Sequence, residues 1–252
     1  MGIASGIVKA LRLLTGRERP KTAAVILAAG LGTRMGAAVK NKKQFLSIEG
    51  IPVFIRSLLA FDACEVIDEL VLVIGREDLR PVKRALASYT IKKPLRVVYG
   101  GAVRQESARR GFEALSKGMR FVAIHDAARC LITPEAIRSV VLAAHASRAA
   151  SAACRSTDTL KRVNADGFVL ETVDREEIFR AQTPQVFACD LYRTATYVAR
   201  EQGAVVTDDN MLVERLGQTV KMVDVGPENI KITTPEDLYF AKAVLQMQRD
   251  RK

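Results

Sequence analysis

Histidine is nearly missing from this chain: of 252 residues only His125 and His145 are imidazoles, and neither has a histidine or cysteine at ligand spacing. The four cysteines, Cys64, Cys130, Cys154 and Cys189, are scattered and form no C-x-x-C pair. That pattern argues for reduced thiols and against a zinc site. No serine stands in a nucleophile-elbow motif, so a histidine-based hydrolase is disfavoured. No apolar run approaches the ~18 residues of a membrane span. Ile7–Leu14 is interrupted by Lys9 and Arg12 and lacks the unbroken apolar region and cleavage site of an export signal. A cytoplasmic location is therefore expected.

What the chain has in quantity is positive charge. Its formal net charge is +11, and residues 1–43 hold nine Lys/Arg against one acid, nine minus one giving +8. Basic clusters can bind nucleic acid or anionic membranes. Here no aromatic residue precedes Phe45 and no nucleic-acid motif is present, so neither partner is expected. Attraction of anionic small molecules accounts for Arg34, Lys40, Lys42 and Lys43, whereas Arg12, Arg17, Arg19 and Lys21 read as a solvated face. A hydrophobic content of 48% can fill one sizeable core. Residues 1–21 then form a basic extension and residues 22–252 a single domain.

Ala24–Ala28, Leu70–Ile74, Leu95–Tyr99 and Phe121–Ile124 read as strands. Apart from Arg96 they are continuously apolar, as central parallel strands are. Pro52–Phe61, Asp78–Ser88, Arg104–Ser116 and Pro134–Ser147 read as the intervening helices. This alternation predicts an α/β fold with a doubly wound, mostly parallel sheet whose ligands lie beyond the carboxyl ends of the strands. Ser151–Cys154 is a further short strand. Thr159–Asp174 then alternates polar and apolar residues around Asp166-Gly167, a hairpin signal. It predicts a projecting arm over about 156–178 that needs another surface to cover it. Thr234-Pro235-Glu236-Asp237 opens the last helix, with Thr234 as its cap, proline first and acids in the first turn.

The apolar run Ala23–Leu27 feeds Ala28-Ala29-Gly30-Leu31-Gly32-Thr33-Arg34-Met35-Gly36, with Lys43-Gln44-Phe45-Leu46 close behind. Glycines let backbone approach a ligand, and successive N–H groups can cradle phosphate oxygens. The spacing Gly30-x-Gly32-x-x-x-Gly36 is not the dinucleotide fingerprint, and the Gly-Lys-Ser/Thr of a Walker A loop is absent. Arg34 and Lys43 suit a triphosphate that will react; a plain tight turn is the bland alternative. His125-Asp126-Ala127-Ala128-Arg129 ends another strand. Asp126 can accept hydroxyl hydrogen bonds from a substrate or help place Mg²⁺, and Arg129 can bind phosphate. A structural Asp126–Arg129 ion pair is the competing reading.

Ala-Ala-Gly-x-Gly-x-Arg-Met followed by Lys-Gln-Phe-Leu resembles the opening of the sugar- and polyol-phosphate nucleotidyltransferases. Within them the chain is most similar to the 2-C-methyl-D-erythritol 4-phosphate cytidylyltransferase family, over about Ala23 to Leu245. The resemblance implies a Rossmann-like nucleotidyltransferase fold whose hairpin arm interlocks two subunits of a homodimer. It implies that CTP and a polyol phosphate are the partners, with Mg²⁺ or another divalent cation bound with CTP. Ala28, Ala29, Gly30, Gly32 and Thr33 would bind the nucleotide, as would Gly101, Ala102 and Ser107 after the Leu95–Tyr99 strand. Ala102 departs from the acid often found there, and Cys130 from the proline usual after the signature arginine.

The same resemblance gives Arg34 and Lys43 the catalytic roles at the α-phosphate. Arg175, reaching into the partner subunit, and Lys231 would position the attacking phosphate; taken singly, each is more often a surface cation. Asp126, Arg129, Thr159 and Thr183 would contact substrate, with Asp126 also a metal ligand. Thr207-Asp208-Asp209 matches a family segment, although a helix N-cap explains it equally. The implied reaction joins CTP to 2-C-methyl-D-erythritol 4-phosphate and releases pyrophosphate. A ribitol 5-phosphate cytidylyltransferase is the neighbouring alternative, and a non-catalytic nucleotide-binding module the distant one. An NAD-dependent oxidoreductase is disfavoured by the glycine spacing.

Overall fold

Apolar strands without a polar face must be covered on both sides, and that requirement shapes this chain. A computed structural model describes residues 19–30 and 45–251; residues 1–18, Gly32, Thr33, Arg34 and Lys43 lie outside the described residues. In chain order the strands are β1 (Thr22–Ala28), β2 (Ser47–Ile48), β3 (Ile51–Pro52), β4 (Glu69–Ile74), β5 (Leu95–Tyr99) and β6 (Phe121–Asp126). They continue as β7 (Ala149–Arg155), β8 (Leu160–Val163), β9 (Val169–Val173), β10 (Phe179–Ala188) and β11 (Lys221–Asp224). Seven of them form one sheet in the order β11-β7-β10-β6-β1-β4-β5. Every neighbouring pair in it is parallel except the two made by β10, which runs antiparallel to β6 and β7.

Helices α1 (Val53–Ala63) and α4 (Pro134–Ser147) cover one face, where Phe61 lies 4.8 Å from the His125 ring and Phe121 4.6 Å from His145. Helices α3 (Arg104–Glu113) and α5 (Cys189–Glu201) cover the other, where Tyr192 stacks on Phe187 at 5.4 Å and meets Phe112 edge-on at 5.1 Å. A Cβ on Gly111 would run into Val25 and Val73, so that glycine lets α3 lie close on the sheet. The doubly wound, mostly parallel α/β architecture expected from the sequence is present. Helices α2 (Leu79–Leu86), α6 (Asn210–Glu214) and α7 (Glu236–Asp250) complete the set among the described residues.

Three expectations need correction. Strand β5 is not central: it closes the sheet's edge and is only half-buried. Arg19 is not on a solvated face, because both its terminal nitrogens grip Asp68 (2.8 and 2.7 Å) and reach the Val66 and Glu65 carbonyls. Thr234 makes no side-chain cap to α7; the Asp237 carboxylate turns back to accept from the N–H groups of Thr233 and Thr234 instead. Strand β10, which the sequence reading did not include, lies between β6 and β7 although Pro184 stands in it. The pairing breaks its register between Ala181 and Gln185, so the proline withholds no ladder donor.

Strands β8 and β9 form the expected hairpin. Its turn has Gly167 at φ +86°, with Asn164 Oδ1 accepting from the N–H groups of Asp166 and Phe168. Phe168, Val169 and Leu170 on it are 72%, 59% and 62% exposed, an apolar tip left uncovered among the described residues.

Candidate active site

The carboxyl ends of β1, β4 and β5 bring Ala29, Val73 and Gly100 together. Ala28 ends β1, and Ala29 and Gly30 emerge beside Gly100: a Cβ on Gly100 would lie 2.6 Å from the Ala29 Cβ and 2.7 Å from Ser107 Oγ. The Ser107 hydroxyl accepts from Gly101 N–H at 3.0 Å and donates to the Val103 carbonyl at 3.1 Å. Glu106 accepts from Ala102 N–H at 2.9 Å. Ala29, Gly101, Ala102 and Ser107 are thus tied to one another through Gly100 and Glu106.

Asp126 is the hub of the site. Its Oδ1 accepts from Arg104 Nε at 3.0 Å and its Oδ2 from Lys231 Nζ at 2.6 Å. Its own N–H donates to Thr183 Oγ1 at 3.0 Å, which also lies 3.0 Å from His125 Nδ1. Burial works to raise the Asp126 carboxyl; Arg104 and Lys231 outweigh it and hold the group well below the usual carboxylate range. It is therefore ionised. Full burial pushes His125 down to about 3, so its imidazole is neutral and serves packing and the Thr183 contact.

Arg104 continues from Asp126 to a second carboxylate, with Nη1 2.6 Å from Asp209 Oδ2. Asp209 is 1% exposed and also accepts from the Tyr192 hydroxyl at 2.6 Å, while its N–H donates to Gln185 Oε1. Desolvation opposes the Arg104 charge, and the two carboxylates more than restore it. Asp208 accepts from Met211 N–H and from Gln185 Nε2. Asp208 thus tethers the first turn of α6, and Asp209 pairs with Arg104.

Arg129 does not pair with Asp126. Its Nη1 donates to the Asn229 carbonyl at 2.9 Å, and its buried Nε has no hydrogen-bond partner among the described residues. Asn229 in turn donates to Gln182 and to the Thr183 carbonyl, and Ile232 N–H reaches the Ala128 carbonyl at 2.8 Å. The segment carrying Lys231 is stitched in this way to the loop after β6. Thr159 and Arg175 stand elsewhere. Both are exposed on the hairpin arm, where Arg175 Nη1 donates to the Thr157 carbonyl.

Arg104, Asp209, Tyr192 and Gln185 are site residues that sequence reasoning did not single out for this role. No described group of three or more His, Cys, Asp or Glu could cage a metal. Both oxygens of Asp126 face cations, so the carboxylate does not fit the metal-ligand role expected of it.

A mostly parallel α/β sheet with Ala29 against Gly100 and the Asp126–Lys231 pair at its strand ends is a nucleotidyltransferase fold. The chain belongs to the 2-C-methyl-D-erythritol 4-phosphate cytidylyltransferase family, whose model matches residues 22–247. It is 42% identical over 224 residues to the enzyme of that name from Caldanaerobacter subterraneus, covering 88% of this chain and 98% of that one. It is 43% identical over 236 residues to the one from Pelotomaculum thermopropionicum, covering 92% and 97%. Among solved structures, the 4-diphosphocytidyl-2C-methyl-D-erythritol synthase of Anaerococcus prevotii superposes with a TM-score of 0.81 at 32% identity, covering 90% of this chain and 96% of that one. The cytidylyltransferase of Thermus thermophilus gives 0.72 at 30% identity, covering 90% and 99%.

Proposed function

We propose that this chain transfers the cytidylyl group of CTP to 2-C-methyl-D-erythritol 4-phosphate, a step of non-mevalonate isoprenoid synthesis, with the residues in the roles that follow. A phosphate oxygen of the polyol phosphate attacks the α-phosphorus, the bond to the β-phosphate breaks, and pyrophosphate leaves. That oxygen is a nucleophile at neutral pH, so the reaction needs positioning and charge stabilisation rather than a general base. A neutral, buried His125 agrees with this.

Gly30, Gly32 and Thr33 cradle the triphosphate, and Gly101, Ala102 and Ser107 hold the base and ribose. Arg34 and Lys43 stabilise the charge that builds at the α-phosphate. Lys231 holds the attacking phosphate, Arg129 and Thr183 shape its pocket, and Asp126 keeps Lys231 in place. A divalent cation, Mg²⁺ by preference, enters on the phosphates of CTP. The hairpin arm docks on a second copy, hiding Phe168 and Leu170 and delivering Thr159 and Arg175 to the neighbouring site. No described helix is long and apolar enough to cross a membrane, and the reading places the enzyme in the cytoplasm.

The observation that carries the reading is the Lys231–Asp126–Arg104 junction beside two glycine loops, in a chain whose family model spans 22–247. Pyrophosphate release is the test, with CTP and Mg²⁺ and either methylerythritol 4-phosphate or ribitol 5-phosphate. Release that depends on the first is expected. Release with the second alone would move the chain to polyol-polymer synthesis, and CTP binding without release would leave a nucleotide-binding module.

A further inference from the structure

We infer that Arg104 is a positioning residue for the second substrate: by sharing Asp126 with Lys231, it sets how much of the Lys231 charge is left for the attacking phosphate. The inference rests on the proposed function for the identity of that phosphate. Its physical ground is the division of one carboxylate between two cations, Oδ1 toward Arg104 and Oδ2 toward Lys231. A carboxylate so divided neutralises each cation only in part. Without Arg104, its whole charge would fall on Lys231.

Arg104 cannot swing off Asp126 cheaply, because its other end is anchored in the protein. Asp209 holds Nη1 and is itself held by the Tyr192 hydroxyl and by Gln185. Breaking that anchor would strand a buried carboxylate. Arg104 and Lys231 against Asp126 and Asp209 make a quartet without net charge among themselves, and Arg129, which feels both Asp126 and Arg104, adds one positive charge beside them. Changing one member shifts the local charge by one unit, and the direction depends on which member it is.

This gives two substitutions at the same bridge opposite effects. Arg104→Met makes the quartet negative and turns Asp126 wholly onto Lys231, so the KM for the polyol phosphate should rise about tenfold, with that for CTP moving less than about threefold. Asp209→Asn keeps an oxygen for Arg104 and makes the quartet positive, so the same KM should fall. A merely structural bridge would be damaged by both changes and would shift both in one direction.

The experiment is steady-state kinetics on the full chain for both substrates, with calorimetric affinity for inorganic phosphate read in parallel. The expected order of phosphate affinity is Asp209→Asn, then wild type, then Arg104→Met. Equal shifts for CTP and polyol phosphate, or the same sign in both variants, would overturn the inference. If Arg104→Met fails to fold, the double variant R104M/D209N removes the stranded carboxylate; a raised polyol-phosphate KM in it supports the inference and an unchanged one refutes it. Wild-type protein without turnover but with the predicted affinity order would sink the proposed reaction and leave the charge-sharing role standing.

Discussion

Lys231 Nζ lies 2.6 Å from Asp126 Oδ2, although 105 positions separate the two residues in the chain. The lysine is thus presented by a partner that is itself ionised and fixed, which makes its charge available at one place only.

Removing Lys231 should act on one substrate. A charge-assisted hydrogen bond to phosphate contributes about 1.5–3 kcal/mol, so Lys231→Met is expected to raise the KM for the polyol phosphate about 10–100-fold. The KM for CTP, measured in the same assay, should stay near the wild-type value.

The loop beyond Gly30 predicts a different signature. Arg34 and Lys43 are assigned to charge that appears only in the transition state, so Lys43→Ala should lower kcat roughly 10²–10³-fold. Normal turnover by that variant would remove Lys43 from the mechanism.

Arg175 tests the second copy. Arg175→Ala should mainly raise the KM for the polyol phosphate and spare CTP. If the arm docks on a neighbour, a mixed dimer of Arg175→Ala and Lys231→Met chains should regain turnover at one of its two sites. Failure to regain any would count against a shared site.

Acid should destabilise the fold through a histidine. The folded His125 is pushed down to about 3 against about 6.5 unfolded, so the unfolded chain binds more protons between these values. The stability contributed is therefore complete above about pH 6.5 and is lost as pH falls toward 3. The slope approaches about 1.4 kcal/mol per pH unit for this one group. Denaturant melts between pH 7 and 5, above most carboxylate titration, should show a steeper slope in wild type than in His125→Gln, with His145, pushed down to about 4 by burial, adding its own contribution to both.

Gly100 probes the nucleotide rim. An alanine there would place its Cβ 2.6 Å from the Ala29 Cβ and 2.7 Å from Ser107 Oγ. Overpacking of this kind costs about 1–3 kcal/mol. Gly100→Ala should lower the melting temperature and raise the KM for CTP, with the polyol phosphate less affected.

The parts of this molecule that announce themselves in sequence are those with one cause. Val25, Leu72 and Ile124 sit in unbroken apolar runs, and only a doubly covered sheet buries such runs. Thr133 before Pro134 starts α4 where cap chemistry says it should, its side chain accepting from Ala136 N–H. Strand β10 was obscured because Arg180, Gln182 and Pro184 break the apolar rhythm. Arg180 is exposed, whereas Gln182, Thr183 and Gln185 are buried, with Gln182 only 6% exposed. The site divides along the same line. Gly101, Asp126 and Lys231 lie in recognisable motifs, and the resemblance located them. Asp209 lies in a segment that a helix cap explains equally well, and its contacts with Tyr192 and Arg104 join segments that composition does not connect. Arg129 looked like a partner for Asp126 by proximity in sequence, but the turn after β6 sends it toward Asn229.

The order in which the site's parts occur along the chain has a consequence for synthesis. The last strand, β11, ends at Asp224, and Lys231 follows it. A chain growing from its amino end can therefore complete its sheet and both glycine loops before the lysine exists. Only when the Asn229–Ile232 segment emerges and binds the loop after β6 does Asp126 gain its second cation, so this buried carboxylate is the last part of the junction to be fully paired in the life of each molecule.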